Sequence, residues 1–479
     1  MDLDRYVHPL TDRYASPEMQ RVFSPRKRFG TWRRLWIALA ESEAELGVEI
    51  SAQALHEMRA AKDELDLEKA AEYERRFRHD VMAHVHLFAD DAPAARGIIH
   101  LGATSAFIGD NTDLILHRDA LDLIRTRVVR CVEALADFAR EHAALPTLGY
   151  THFQPAQPTT VGKRATLWIQ DLLLDLEELD HRVATLRFRG VKGTTGTQAS
   201  FLELFDGDQD RVDRLDEAVG RRMGFQSTIP VSGQTYTRKI DYAVQATLAG
   251  VATSVSKMGH DLRILANLRE VEEPFESEQI GSSAMPYKRN PMRAERMCAL
   301  ARHVIVLAQD PAFTAATQWL ERTLDDSANR RLSIPDAFLA LDGCLVLLEN
   351  VSRRLSVNPE VVRRNLAEHL PFMATETILM HAVARGGDRQ ELHERIRQHS
   401  MAAARRMKEE GADADLLERI AGDEAFGLDA HELYQMVDPS RFVGRAPAQV
   451  SRFLERQVQP ALERQRENIV NLDEPEIHV

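Results

Sequence analysis

The sequence predicts an all-α protein of three helical domains arranged around a central bundle of long helices. Three observations carry that class. Apolar residues recur at alternating three- and four-residue steps through segments of about 30 residues, far longer than an ordinary helix. No alternating strand pattern stands out. At 479 residues the chain also exceeds one ordinary core, so two or three domains are expected, divided as 1–104, 105–357 and 358–479.

From Met1 to about Gly102 the pattern is one of mixed short helices, with Trp32, Leu35, Trp36 and Leu39 on one face before a stop at Gly47. Long periodic segments follow. From about Thr112 to Leu145 the stripe is Leu114, Leu121, Ile124, Val128, Cys131, Leu135 and Phe138. From about Thr160 to Gly190 it is Ala165, Trp168, Leu172, Leu176, Leu179, Val183 and Leu186. A third, from about Tyr236 to Val271, carries Ile240, Val244, Leu248, Val251, Val255, Met258, Leu262 and Leu265. Helices with Met297, Leu300, Val304 and Leu307, and with Phe338, Leu341, Leu345, Leu348 and Leu355, complete a nearly antiparallel bundle. Thirty helical residues span about 45 Å. Helices running up and down in sequence therefore put the segments around His152 and Ser282 at one end and the segment around Thr104 at the other. After Asn358 and Pro359 the helices become shorter and more polar, and a closing helix opens near Pro447 with Val450, Phe453, Leu454 and Val458 on a face.

Composition narrows the function. Hydrophobic residues at 44% and charged residues at 28% describe a folded globular protein, and a net charge of −13 disfavours nucleic acid and acidic membranes as partners. Met1 to Leu10 holds acids and no apolar run, which predicts neither a leader nor a membrane span and a cytoplasmic location. Cys131, Cys298 and Cys344 lie far apart within helical patterns and read as reduced packing residues. No metal is expected, because the spacings of His79, His84 and His86 put no pair of them one turn apart on a helical face.

Two stretches carry chemistry. Gly281 to Pro291, reading Gly-Ser-Ser-Ala-Met-Pro-Tyr-Lys-Arg-Asn-Pro, offers two hydroxyls, two adjacent cations and an amide in a segment that cannot continue as a helix past Pro286, a composition suited to an anion. Asn290 is placed to cap, and Pro291 to open, the helix behind it. Thr151 to Pro158 is a proline-bounded loop that presents His152 directly before a long helix; histidine both holds and releases a proton near neutrality. Gly190 to Gly196 lacks phosphate-loop spacing and follows a helix, so it reads as an inter-helix turn.

The Gly281–Pro291 string resembles the signature loop of the fumarase/aspartase superfamily, and its Lys-Arg-Asn-Pro ending resembles the adenylosuccinate lyase branch. Tyr287, where many bacterial members have histidine, places it nearer the animal-type branch. The resemblance runs almost end to end. It implies that Ser282 is the base that takes a proton from carbon, that Lys288 stabilises the resulting charge, and that His152 is the acid on the departing nitrogen, with Glu295 as its carboxylate partner. Asn290, together with Thr104 and Ser105 in His100-Leu-Gly-Ala-Thr-Ser, would hold carboxylates. Arg78, His79 and Asp80 match a family segment whose histidine contacts the substrate phosphate or helps the acid. Arg13 and Tyr14 match a phosphate segment; Gln234, Arg296, Ser327 and Arg331 match further substrate positions, and Thr151 and Ser283 join them as neighbours of the reactive residues. The implied reaction is cofactor-free release of fumarate from succinyl purine ribonucleotides, adenylosuccinate giving AMP and the related imidazole carboxamide succinyl ribotide giving its amine. The implied assembly is a homotetramer with sites shared between subunits. The rival readings are another fumarate-releasing lyase, such as an argininosuccinate lyase, and a non-enzymatic helical scaffold.

Overall fold

The computed structural model describes residues 4–472 and Ile477, so the first three residues of the opening segment and the last few of the expected third domain lie outside the described residues. Five long helices form the centre: Ser105–Glu141, Val161–Thr185, Lys239–Asn267, Met292–Leu307 and Asp325–Arg353. Their apolar stripes make one core, in which Leu121, Ile124, Leu172, Val251, Met297 and Leu345 are all fully or almost fully buried. The first of these helices, 37 residues long, spans about 55 Å. It begins at Ser105, earlier than the apolar stripe announces, because its opening turns bury the polar residues Asp110, Asn111 and Thr112.

A second core joins Trp32, Trp36 and Phe88 of the first hundred residues to Phe107 and Ile115 of the first bundle helix and to Phe188, Phe201 and Tyr236 from the connection between the second and third. A third core, between Ala374 and Met436, belongs to the shorter helices near the C-terminus. The closing segment leaves that core: Val450, Leu454 and Val458 pack back into the central one, through the Ala446–Phe453 helix and the Leu454–Val458 turn of π-helix. The three cysteines are buried free thiols. No helix is long and apolar enough to cross a membrane, among the described residues.

The structure corrects the reading of Thr151 to Pro158 as a loop: residues 146–160 form a β-hairpin. Pro146–Thr151 pairs antiparallel with Gln154–Thr160, Tyr150 opposite Pro155 and Leu148 opposite Pro158, with a register shift between Leu148 and Tyr150. Proline donates nothing to a ladder and survives in an edge strand beside such a bulge, so these prolines hid the strand without preventing it. Leu148 anchors the hairpin base on Leu366 and Leu370 of the Pro359–Met373 helix.

Candidate active site

One end of the bundle holds a cavity of about 500 Å³ lined by residues from the first hundred residues, from the first and fifth bundle helices and from the segments that lead into the third and fifth. Arg78 ends the Leu67–Phe77 helix with φ 56°, a left-handed conformation that costs a non-glycine residue free energy and turns the chain sharply. His79 then caps the next helix: its Nδ1 accepts the Met82 N–H at 3.3 Å. With Nδ1 occupied as an acceptor, the proton of the neutral ring sits on Nε2, which donates to Ser105 Oγ at 3.3 Å. Ser105 opens the first bundle helix. The Thr104 hydroxyl just before it is buried with no hydrogen-bond partner, an acceptor and donor available to a ligand. His100 fixes this turn by accepting the Trp36 indole N–H at 2.9 Å, and burial pushes its pKa down to about 4, which keeps it neutral.

Gln234, Ser327 and Arg331 complete the wall, Arg331 donating to Asp80 at 2.9 Å. Beneath them lies a network of buried charges. Arg238 spans Asp110 and Asp326 at 3.1 and 2.7 Å. Arg330 reaches Asp241, Asp113 and the Tyr236 hydroxyl at 2.6, 2.9 and 2.5 Å, and His117 meets Asp241 at 3.2 Å. Burial opposes the charge on Asp241, but the attraction of Arg330 and the hydrogen bond from His117 outweigh it and hold the carboxylate well below its ordinary range. Arg238 and Arg330 are therefore committed to acids. Arg322 is held by Asp326 only at 3.8 Å, and together with Arg78 it is better placed to take an anion.

The opposite end carries the hairpin tip and the signature loop. His152 and Phe153 are the two turn residues of the hairpin, with φ 53° and 57°, where glycine and asparagine are the usual occupants. Such a backbone persists where the surroundings impose it, and here it presents the exposed imidazole at the tip. In the loop, Ser282 Oγ accepts the Ala284 and Met285 N–H groups at 3.4 and 3.2 Å. Two donors on one hydroxyl oxygen favour its deprotonated form. Asn290 does not cap the helix behind it: its side-chain amide donates to Gly281 O at 2.7 Å and closes the loop on itself. Pro291 is the N-cap position, and the capping oxygens come from Glu273, which accepts the Arg293 and Ala294 N–H groups at 2.9 Å each. Gly281 lies so near Lys288 O that a Cβ would sit 2.1 Å from it. Ser283 and Lys288 are exposed. Glu295 is exposed on the first turn of the Met292–Leu307 helix, and no contact joins it to His152.

Arg13 and Tyr14 fall between these groups, on a single turn of π-helix, Leu10–Tyr14, packed against Gly343 halfway along the fifth bundle helix. Arg296 lies over the Tyr14 ring at 5.5 Å. Of the remaining motifs, His84 stacks on Phe29 at 4.1 Å and His86 on Phe77 at 4.5 Å, which are packing roles. Lys192 of the glycine-rich turn is committed to Asp216 at 2.7 Å.

The family described as Lyase matches residues 12–306, and the one described as Adenylosuccinate lyase C-terminus matches residues 371–453. Adenylosuccinate lyase of Saccharomyces cerevisiae is 55% identical over 465 residues, 96% of each chain. The chain belongs to the adenylosuccinate lyase family. It is a lyase, an enzyme of the fumarase/aspartase superfamily. Adenylosuccinate lyase of Schistosoma mansoni is 48% identical over 96% of each chain. The solved 3-carboxy-cis,cis-muconate lactonizing enzyme of Pseudomonas putida, 24% identical, shares the fold with a TM-score of 0.80 over 97% of this chain and 100% of its own.

In this lyase the chain brings together Arg78, His79, Asp80, Ser105, Gln234, Ser327 and Arg331 at one cavity, with Thr104 beside them. It keeps Thr151, His152, Ser282, Ser283, Lys288 and Asn290 at the other end. Sequence reasoning missed Arg322, the half-buried Asp113 and the buried Asp110, His117 and Arg238. The available signal was a run of polar residues at positions 110, 113 and 117, one turn apart on a helix otherwise buried by apolar side chains.

Proposed function

We propose that this lyase releases fumarate from adenylosuccinate, leaving AMP, and from the succinylated imidazole carboxamide ribotide. The family relationship supports the substrate class, and the observation that carries the reading is the distribution of parts. A cavity with Arg78, Arg322, Arg331, Gln234 and Ser327 suits a phosphate-bearing nucleotide at one end of the bundle. The opposite end offers a serine oxygen under two N–H donors, an exposed ammonium and an exposed imidazole.

Chemically, the elimination needs a base on the carbon beside a carboxylate, positive charge where electrons accumulate, and an acid on the departing nitrogen. Ser282 is the base, its oxyanion favoured by the Ala284 and Met285 N–H groups and by Lys288. Lys288 also meets the charge that spreads onto the carboxylate as the C–H bond breaks. His152, with Glu295 as its partner, protonates the nitrogen as the C–N bond breaks. Ser283, Asn290, Thr104, Ser105 and Thr151 hold the succinyl carboxylates, and Arg13, Tyr14, Arg296 and His79 extend the nucleotide contacts. No cofactor enters these steps.

The two halves are separated by most of a helix of about 55 Å, so one chain does not assemble the site. Antiparallel association of copies places opposite ends together, and we assign the enzyme to a cytoplasmic homotetramer whose sites are shared between subunits. The exposed hairpin tip, with Phe153 67% accessible, is shaped to enter a neighbour. Incubation with adenylosuccinate should release fumarate and AMP in equal amounts, and Ser282→Ala should abolish it. Release of fumarate from argininosuccinate but not from adenylosuccinate would overturn the substrate assignment.

A further inference from the structure

The signature loop leaves the third bundle helix through Val271 and Glu272 and re-enters the bundle at Met292, and the ties along it fall into two groups. The outer group is a collar. Glu273 accepts two N–H groups from the first turn of the returning helix, one on each oxygen, both at 2.9 Å. Glu276 takes Arg293 at 3.2 Å and Arg354, at the end of the fifth bundle helix, at 2.7 Å, while Arg293 also donates to Asn350 at 2.6 Å. The inner group closes residues 281–290 into a ring, the Asn290 amide on Gly281 O and Gly281 against Lys288 O, and Arg289 ties that ring back to the outgoing limb through Glu272 at 3.4 Å and the Phe275 ring at 5.2 Å.

Between the two, residues 277–280 carry a single backbone turn, from Gln279 N to Glu276 O at 3.0 Å, and Glu276 N–H donates to the Gln279 side-chain oxygen at 3.2 Å. The ring that bears Ser282, Ser283 and Lys288 is thus one unit hung from a fixed collar. Glu273 and Glu276 both join the outgoing limb of the loop directly to the helix bearing Glu295 and Arg296, Glu276 through the Arg293 side chain and Glu273 through the backbone of the first turn.

We infer that Glu273 is a positioning residue: it locks the outgoing limb to the returning helix, and through that lock sets where Ser282 and Lys288 stand. This rests on the role proposed for Ser282 and Lys288. Both Glu273 oxygens are acceptors for fixed N–H donors, so Glu273→Gln replaces one acceptor by an NH2 group facing an N–H, whereas Glu273→Asp keeps the charge on a shorter arm.

The test uses the assembled enzyme and two measurements. Trypsin cuts after Lys288 and Arg289, both exposed, and this cleavage reads the tethering of the loop without reference to chemistry. Glu273→Gln should accelerate that cleavage several-fold, lower kcat by roughly 10- to 100-fold and leave KM within about three-fold, a displacement of catalytic groups more than a loss of binding. Glu273→Asp should restore part of both properties. Unchanged cleavage in Glu273→Gln overturns the lock. Faster cleavage with unchanged kcat overturns the link from lock to turnover. Failure of the underlying role shows separately, as retained turnover in Ser282→Ala whatever stands at position 273.

Discussion

A serine hydroxyl is a very poor base in water, and the Ser282 oxygen differs from a solvated one by two N–H donors and a cation six residues along the same ring. If fixed positive charge carries the elimination, Lys288→Met should lower kcat by on the order of 10²- to 10³-fold while shifting the thermal midpoint little, since the side chain is exposed. Steady-state kinetics beside a melting curve checks both halves. Charge acts differently at Glu43, whose two carboxyl oxygens are fully buried without a hydrogen-bond partner. Burial raises its pKa to about 8. A folded value above the unfolded one means that the contribution of the neutral form is complete below about pH 4.5 and drains away as the pH climbs toward 8, by roughly 1.4 kcal/mol per unit. Glu43→Gln cannot ionise, so its stability relative to the parent should rise through that window and level off above it. Parallel stability curves for the two proteins from pH 5 to 8 would refute the assignment.

Among the elements, the long helices bring their own buried charges into the core. Removing a cation from the network under the cavity, as in Arg330→Met, leaves Asp241 with only His117 and the Tyr236 hydroxyl, and Asp113 with only the longer contact to Arg28, and should cost about 3 kcal/mol in denaturant unfolding. The same helices were the most legible part of the chain, because a stripe such as Leu121, Ile124, Val128 and Leu135 repeats long enough for period 3.6 to stand out. The hairpin was not, since Pro155 and Pro158 interrupt the pattern and a turn built from His152 and Phe153 lacks the glycine that announces one. Helix starts were read locally and went astray where the answer was remote: the cap on Met292–Leu307 comes from Glu273, beyond the span of any capping motif. The cavity was half legible. Arg78, His79 and Asp80 are adjacent in sequence, whereas Arg322 and Arg238 are recognisable only once folding stitches Gln234 N to Glu321 O at 3.1 Å.

At the scale of the whole molecule, activity should belong to the assembly. Mixing inactive His79→Ala and Ser282→Ala proteins under conditions of subunit exchange should restore activity on the order of a quarter of the parent's, because some mixed sites draw an intact cavity from one copy and an intact loop from another. No recovery after confirmed exchange would argue against sharing. The bundle also acts as a gauge. One extra helical turn in Ser105–Glu141 would add about 5.4 Å between the hairpin and Ser105, well beyond hydrogen-bond reach. With the proposed shared sites, every composite site would then lose registry at once, which predicts that the five rods bear changes of composition far better than changes of length.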